Sequence, residues 1–349
     1  MSIADTVSDT ATLLIVNVWV PHGISIGFRD VAVTTPGGSD RLPAYLSITP
    51  IVAGPQGDDA SGRGTPDSPF RTLTRAAAAT EFSLPGAGGD TVQLADGEYA
   101  GLETWPIIVR GTLRGSSRAN TIVRPTGQEG LMAAEFVHLT VDGPGGAVPG
   151  SVCIQSSTSL EMTVTDVTAR NCYTGIIAEG STVLISNVRV EGATHGIWCW
   201  GSVTVTGTSV RADVVGIIAQ GVPSIVLDGV DVVVNGNALD FNFTDTVTGS
   251  VRIRNSTISA TNAPALAFRG TAVNYDFGSP AEPGNNSLSC PGITYCFFDS
   301  RAARPAPDGP IALARGMTIN GTVYPAGVVV GPTMQAFYEI LHANQRVEF

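Results

Sequence analysis

The sequence contains no lysine; all 19 of its basic residues are arginine. Set against 30 acidic residues, they leave a formal net charge of -11. An acidic surface repels phosphate backbones, which argues against general nucleic-acid binding. Charge of either sign is scarce at 14%, but hydrophobic residues reach 43%, so the chain can build a core and is not disordered. Long apolar runs are also missing. LLIVNVWV (13–20) has the length of a strand, and nothing approaches the roughly 18 residues of a membrane span. The opening MSIADTVSDT has no basic residue and no cleavable apolar segment after it. No secretory signal is therefore expected, leaving a cytoplasmic protein, a non-classically exported surface protein or part of a virion-like particle. The five cysteines lack zinc-site spacing. Cys290 and Cys296, in CPGITYC, are a possible disulfide across a small loop; two free thiols are the alternative. No motif calls for a metal or a cofactor.

What the chain does contain is a repeat. Gly is abundant at 41 residues, with Val, Thr, Ile and Ser crowding the middle, a composition rich in strands and turns. GIIAEG begins at Gly175, GIWCWG at Gly196 and GIIAQG at Gly216; ALDFNF follows at Ala238 and ALAFRG at Ala265. The intervals are 21, 20, 22 and 27 residues, and VCIQSS at Val152 reads as an upstream copy. A second column keeps step: Asp166, Asn187, Gly207, Gly229 and Asn255. Asn, Asp and Gly are the residues that tolerate left-handed backbone angles, so each coil can bend at the same place between two short alternating strands. The expected fold is all-β, a right-handed parallel β-helix of about 20–27 residues per coil. Alternation points Ile176 and Ala178, Ile197 and Cys199, Ile217 and Ala219, Leu239 and Phe241, and Leu266 and Phe268 into the interior. Cys153 and Cys199 then read as core thiols.

Short capping helices are expected at both ends. Ser68 can N-cap a helix with Pro69 in its first turn, and Leu73, Ala76, Ala77 and Phe82 can share one face. Near the C-terminus, Met334, Phe337, Tyr338 and Leu341 follow helical spacing, after the hairpin signal Asn320-Gly321. The first 53 residues read as three strands, ATLLIVNVWV, ISIGFRDVAV and AYLSITPIV, with Pro36, Gly37 and Gly38 as a flexible junction. The division expected is a β-rich segment or assembly module over 1–53, an N-terminal cap and first coils over 54–130, coils over 131–300, and a hairpin and capping helix over 301–349.

Between residues 54 and 125 lie a Gly-Asp-rich turn, Gly-Thr, Pro-Phe-Arg-Thr-Leu, an Ala-rich helix, Gly-Asp-Thr-Val and Gly-x-Tyr. This order resembles a domain of uncharacterised function that heads many bacterial right-handed β-helix proteins of the pectin-lyase-like superfamily. The resemblance implies the fold and is silent on activity. PHGISIGFRD (21–30) also resembles the G-H-G-I-S-I-G signature of polygalacturonases. That family places carboxylates on earlier coils for general acid and base work. Here His22 precedes the array, and Asp58-Asp59 comes after it in a Gly-rich turn, so no catalytic residue is carried over. His195, in THGIW, reads as an ordinary corner residue. A calcium-dependent lyase site would draw on Glu179, Asp240, Asp245 and Arg269, which are spread too thinly over the coils.

The outward positions carry the functional expectation. One flank reads Ile154, Ile177, Trp198, Ile218, Asp240 and Ala267, and the other Ser156, Glu179, Trp200, Gln220, Asn242 and Arg269. A free sheet face is not usually this apolar. Three explanations stand: cover by another part of the chain, a protein interface, or a glycan platform on which sugar rings stack while Glu179, Gln220, Asp240 and Asn242 hydrogen-bond. The binding candidates are thus Trp198, Trp200, Ile177, Ile218, Glu179, Gln220, Asp240 and Asn242. The expected function is a non-catalytic structural or adhesive protein, forming a homo-oligomer or larger assembly or attached to a surface or phage-like particle, with polysaccharide as a possible partner. The alternative is a polysaccharide lyase or glycoside hydrolase.

Overall fold

A column of left-handed residues governs the architecture. The computed structural model describes residues 2–10, 13–19, 27–35, 38–80, 90–101, 103–156, 161–221, 224–243, 250–270, 274–279, 281–293, 296–299, 311–313, 315–323, 329–330, 340–342 and 346–348. Asp166, Asn187, Gly207, Gly229 and Asn255 have φ of 54°, 52°, 53°, 62° and 49°. His138 and Asn285 extend the column with φ of 57° and 53°. One residue in this conformation turns the chain sharply enough that the next side chain points inward: Val167, Val188, Thr208, Val230 and Ser256 are all buried. The turn also takes a backbone N–H out of strand pairing, and the coil above supplies the acceptor. Asn187 N–H donates to Thr206 O at 3.1 Å and Gly207 N–H to Asp228 O at 3.0 Å.

The strands flanking these turns stack in parallel into a β-helix. Ile176 pairs with Ile197, Ile197 with Ile217, Ile217 with Leu239 and Leu239 with Leu266. All five side chains are buried, as are Ala178, Cys199, Ala219 and Phe241. The side chain of Phe268 lies outside the described residues. The coils present three faces. The first contains Leu131–Ala133, Val152–Ser156, Asn237–Phe243 and Leu266–Gly270; the second Glu135–Val137, Glu161–Thr165, Ser224–Asp228 and Ser250–Arg254; the third Thr140–Asp142, Thr168–Arg170, Asp231–Val234 and Thr257–Ala260. Three long strands, Thr174–Ser186, Arg189–Thr206 and Ser209–Gln220, bend across corners and serve more than one face. Glycine opens the first face because the coils touch there: a Cβ on Gly196 would collide with Gly216 O and a Val210 methyl.

Ser256 and Asn286, two polar residues of the interior, are paired. Ser256 Oγ accepts from Val230 N–H at 3.1 Å and donates to Arg254 O at 2.6 Å. Asn286 accepts from Ser256 N–H at 3.1 Å and donates to Ile253 O and Phe277 O at 2.8 and 2.9 Å. Satisfied pairs of this kind avoid the penalty of a buried, unmatched polar atom.

The N-terminal lid is a single short helix, Leu73–Ala78, with Leu73, Ala76 and Ala77 buried against the first coils. Its N-cap is Thr72, not Ser68: Thr72 Oγ1 accepts from Arg75 N–H at 3.1 Å. Ser68 is occupied in a tight turn with Thr65, and Phe70 bridges to Ala53, which delays the helix start. Phe82 lies outside the described residues. Two acidic side chains complete the cap. Asp59 accepts from Arg71 and Thr72 N–H at 2.8 and 3.0 Å, and Glu103 from Leu73 and Thr74 N–H at 2.9 and 2.7 Å. Tyr99, the aromatic of Gly-x-Tyr, donates to Ala53 O at 2.9 Å. Burial raises its pKa above the ordinary phenol value.

Before the helix, Ser2–Thr10 pairs antiparallel with Leu13–Trp19, and Gly27–Thr35 with Gly38–Ile48. Thr35 pairs with Gly38 in that second hairpin, and Pro36 and Gly37 of the expected junction lie outside the described residues. At the other end, Thr318–Ile319 and Thr322–Val323 form the hairpin signalled by Asn320-Gly321, whose φ values are 47° and 81°. Leu341 lies in the strand Ile340–His342, facing Phe298, and not in a helix. Met334, Phe337 and Tyr338 fall outside the described residues. Cys153 is not a free core thiol: it is bonded to Cys172 on the next coil. Cys290 and Cys296 are also joined, and Cys199 is a buried free thiol.

Candidate binding face

Register decides which side chains reach the outside of the first face. Val152 pairs with Thr174 and Ile154 with Ile176, so VCIQSS enters one residue earlier than its likeness to GIIAEG suggests. Ile154 is therefore buried, and Gln155 takes the outward position opposite Ile177. Ser156 is buried as well, and its Oγ accepts from Glu179 N–H at 3.0 Å. Above this coil the pairing is regular. Ile177, Trp198, Ile218 and Asp240 form one outward row; Trp200, Gln220, Asn242 and Arg269 continue the row begun by Glu179. Ile177, Trp198, Trp200, Ile218, Gln220 and Asp240 are half-buried, whereas Glu179 and Asn242 are exposed. Ala267, at the top of the first row, is buried.

The aromatic side chains make a continuous line. Trp198 and Trp200 leave the same strand on the same side, and their rings stack with centroids 4.9 Å apart and 19° between planes. His195 lies 6.3 Å from Trp198, and Tyr173, from the coil below, meets His195 edge-on at 5.0 Å. Three of the rings, His195, Trp198 and Trp200, lie along the one strand Arg189–Thr206, and Tyr173 joins them from the coil below. Two of its ring nitrogens, His195 Nδ1 and Trp198 Nε1, are shielded from solvent and have no hydrogen-bond partner among the described residues. Burial pushes the His195 pKa below its ordinary value, favouring the neutral ring. Behind the pair of tryptophans, Cys199 points inward, and burial pushes its thiol up to about 12. At that value it is neither a thiolate nor a nucleophile near neutral pH.

Among the described residues of this face, the two carboxylates stand far apart. Glu179 and Asp240 are three coil steps apart, or about 14 Å at roughly 4.8 Å per step. Glycosidase carboxylate pairs sit about 5–10 Å apart. Asp245 and His22 lie outside the described residues, and Arg269 is placed only by its backbone, opposite Asn242. No group of three or more potential metal ligands converges among the described residues.

Two charged clusters elsewhere have no counterpart in the sequence reading. Asp142 accepts from Arg170 at 2.9 Å, from Asn171 at 2.7 Å and from Arg124, which also holds Glu98 at 2.7 Å. Burial opposes the Asp142 charge, but these donors outweigh it and hold the carboxyl below the usual range. At the left-handed corner, Asp166 bonds His138 Nδ1 at 2.7 Å and Asn187 Nδ2 at 3.0 Å, with Arg118 3.4 Å away. Arg118 also donates to Asn187 O at 3.0 Å, spanning successive coils. Both clusters direct their hydrogen bonds to other parts of the chain, as structural ties do, while Arg170 Nε is shielded from solvent and has no partner among the described residues.

A family model described as "Protein of unknown function (DUF1565)" matches residues 55–300. No curated protein and no solved structure matches the chain.

Proposed function

The chain belongs to the DUF1565 family, and from that premise we propose that it is a non-catalytic structural or adhesive β-helix protein whose aromatic line is its contact surface. The observation that carries this reading is the run Tyr173, His195, Trp198 and Trp200 on an outward sheet face. Clustered aromatics on a rigid face suit recognition, because little conformational freedom is lost on binding. The wide spacing of the carboxylates and the suppressed ionisation of Cys199 favour binding over bond cleavage. Two disulfides fit an oxidising, surface-exposed setting. The N-terminal motif and the parallel coils are compatible with membership of the pectin-lyase-like superfamily, which is the basis for the alternative of a polysaccharide lyase or hydrolase.

The test combines light-scattering mass at several concentrations with reducing-end and unsaturated-product assays on neutral and acidic polysaccharides. The proposal expects no product from any polymer. Product formation abolished by replacing a carboxylate or histidine would establish the enzyme instead.

A further inference from the structure

Building on that reading of the aromatic line, we propose that its ligand is an uncharged polysaccharide, and neither a second copy of this chain nor a polyuronate. The first argument is area. Ile177, Trp198, Trp200 and Ile218 are each half-buried in the isolated chain. At about 150–250 Å² for each large side chain, the exposed halves of the four together offer about 300–500 Å² to cover. A stable protein interface needs about 800 Å² per partner. A narrow strip of aromatic surface suits a ligand of small cross-section, one sugar ring wide.

The second argument is the rim. The positions beside the rings hold groups able to bond hydroxyls: Glu179 next to Trp200, with Gln220 and Asn242 on the following coils. Hydroxyl-rich ligands need this mixture of a flat apolar floor and lateral donors and acceptors. The third argument is charge. Glu179 stands exposed on the face, and the whole chain carries a net charge of -11. A polymer with a carboxylate on each sugar would be repelled by both the local and the summed field. The chemistry favours neutral hexoses or pentoses, in contrast to the acidic polymers suggested by the fragment around His22.

The experiment uses the full chain and titrates its tryptophan fluorescence with neutral hexasaccharides of glucose, mannose, galactose and xylose, and with hexagalacturonate. At least one neutral hexasaccharide should shift the emission, with an affinity little changed between 50 and 500 mM salt. Trp200→Ala should weaken it at least tenfold, and Trp200→Phe, which keeps a ring, by less. Far-UV circular dichroism and melting temperature verify that each variant is folded. Equal or tighter binding of hexagalacturonate, or no response to any neutral hexasaccharide, overturns the proposal. If Trp200→Ala instead converts an oligomer to a monomer, the line is a subunit contact; the glycan proposal falls and the contact-surface reading stands. If the variant lowers only the melting temperature, both fall.

Discussion

Single residues hold the corners, and their backbone requirements explain why those positions were readable in the sequence. Asn187 sits at φ 52° and spends its side chain on Asp166. Asn187→Ala should lose about 1–2 kcal/mol, and Asn187→Gly less, measured by urea denaturation; equal losses would mean that the side-chain bond dominates. Asp142 makes a prediction about pH. Its folded pKa lies below the ordinary 3.8, so its stabilisation is present above that value and disappears as pH falls through the folded one. The native protein should therefore lose melting temperature below about pH 4, and Asp142→Asn should flatten that part of the profile while starting lower at pH 7. Other residues were not legible. Only Asn, Asp and Gly suit a left-handed corner well, so that column announces itself; His138, a tolerated exception, does not. Cys153 and Cys172 are separated by 19 residues, close to one coil, and that near match to the period is the sequence signal for their pairing.

At the scale of elements, the lid illustrates how a family motif can be entirely architectural. The Gly-Asp-rich turn delivers Asp59 to the start of Leu73–Ala78, Thr72 caps it, and Glu103 arrives from 30 residues away to bond the next N–H. A helix of six residues cannot persist without such help. Glu103→Ala should cost about 1–2 kcal/mol and raise hydrogen exchange in residues 72–80 ahead of the coils; unchanged exchange there would show that packing alone secures the helix. Local sequence located this helix but misplaced its cap, because Ser68 and Thr72 are both good capping residues and only the tertiary bridge of Phe70 to Ala53 distinguishes them. The same limit affected the outward rows. From Gly175 upward the coils repeat with regular spacing and their faces were readable. Below it, Val152 pairs with Thr174 and not with Gly175, a shift of one residue, and in a strand one residue exchanges inside for outside. Tyr173 and His195 were missed as partners of the tryptophans because a corner, unlike a strand, gives no alternation from which to infer direction.

For the molecule as a whole, the stacked coils make stability largely a matter of neighbours, each layer resting on the next. The covalent chemistry follows from the same geometry. With four of five cysteines paired and Cys199 buried, the native protein should show no thiol accessible to a water-soluble reagent, and one after unfolding without reductant. Two or more thiols under those conditions would contradict the pairing. The bond between Cys153 and Cys172 has a mechanical consequence. It fastens one layer to the next and closes off the 19-residue span between them, so a chain drawn out by its two ends cannot pay out that loop. The withheld contour is about 60 Å. In an optical trap, the oxidised molecule should reach full extension shorter than the reduced one by at least this amount, keeping the strands next to the aromatic line tethered together after the rest of the stack has been pulled apart.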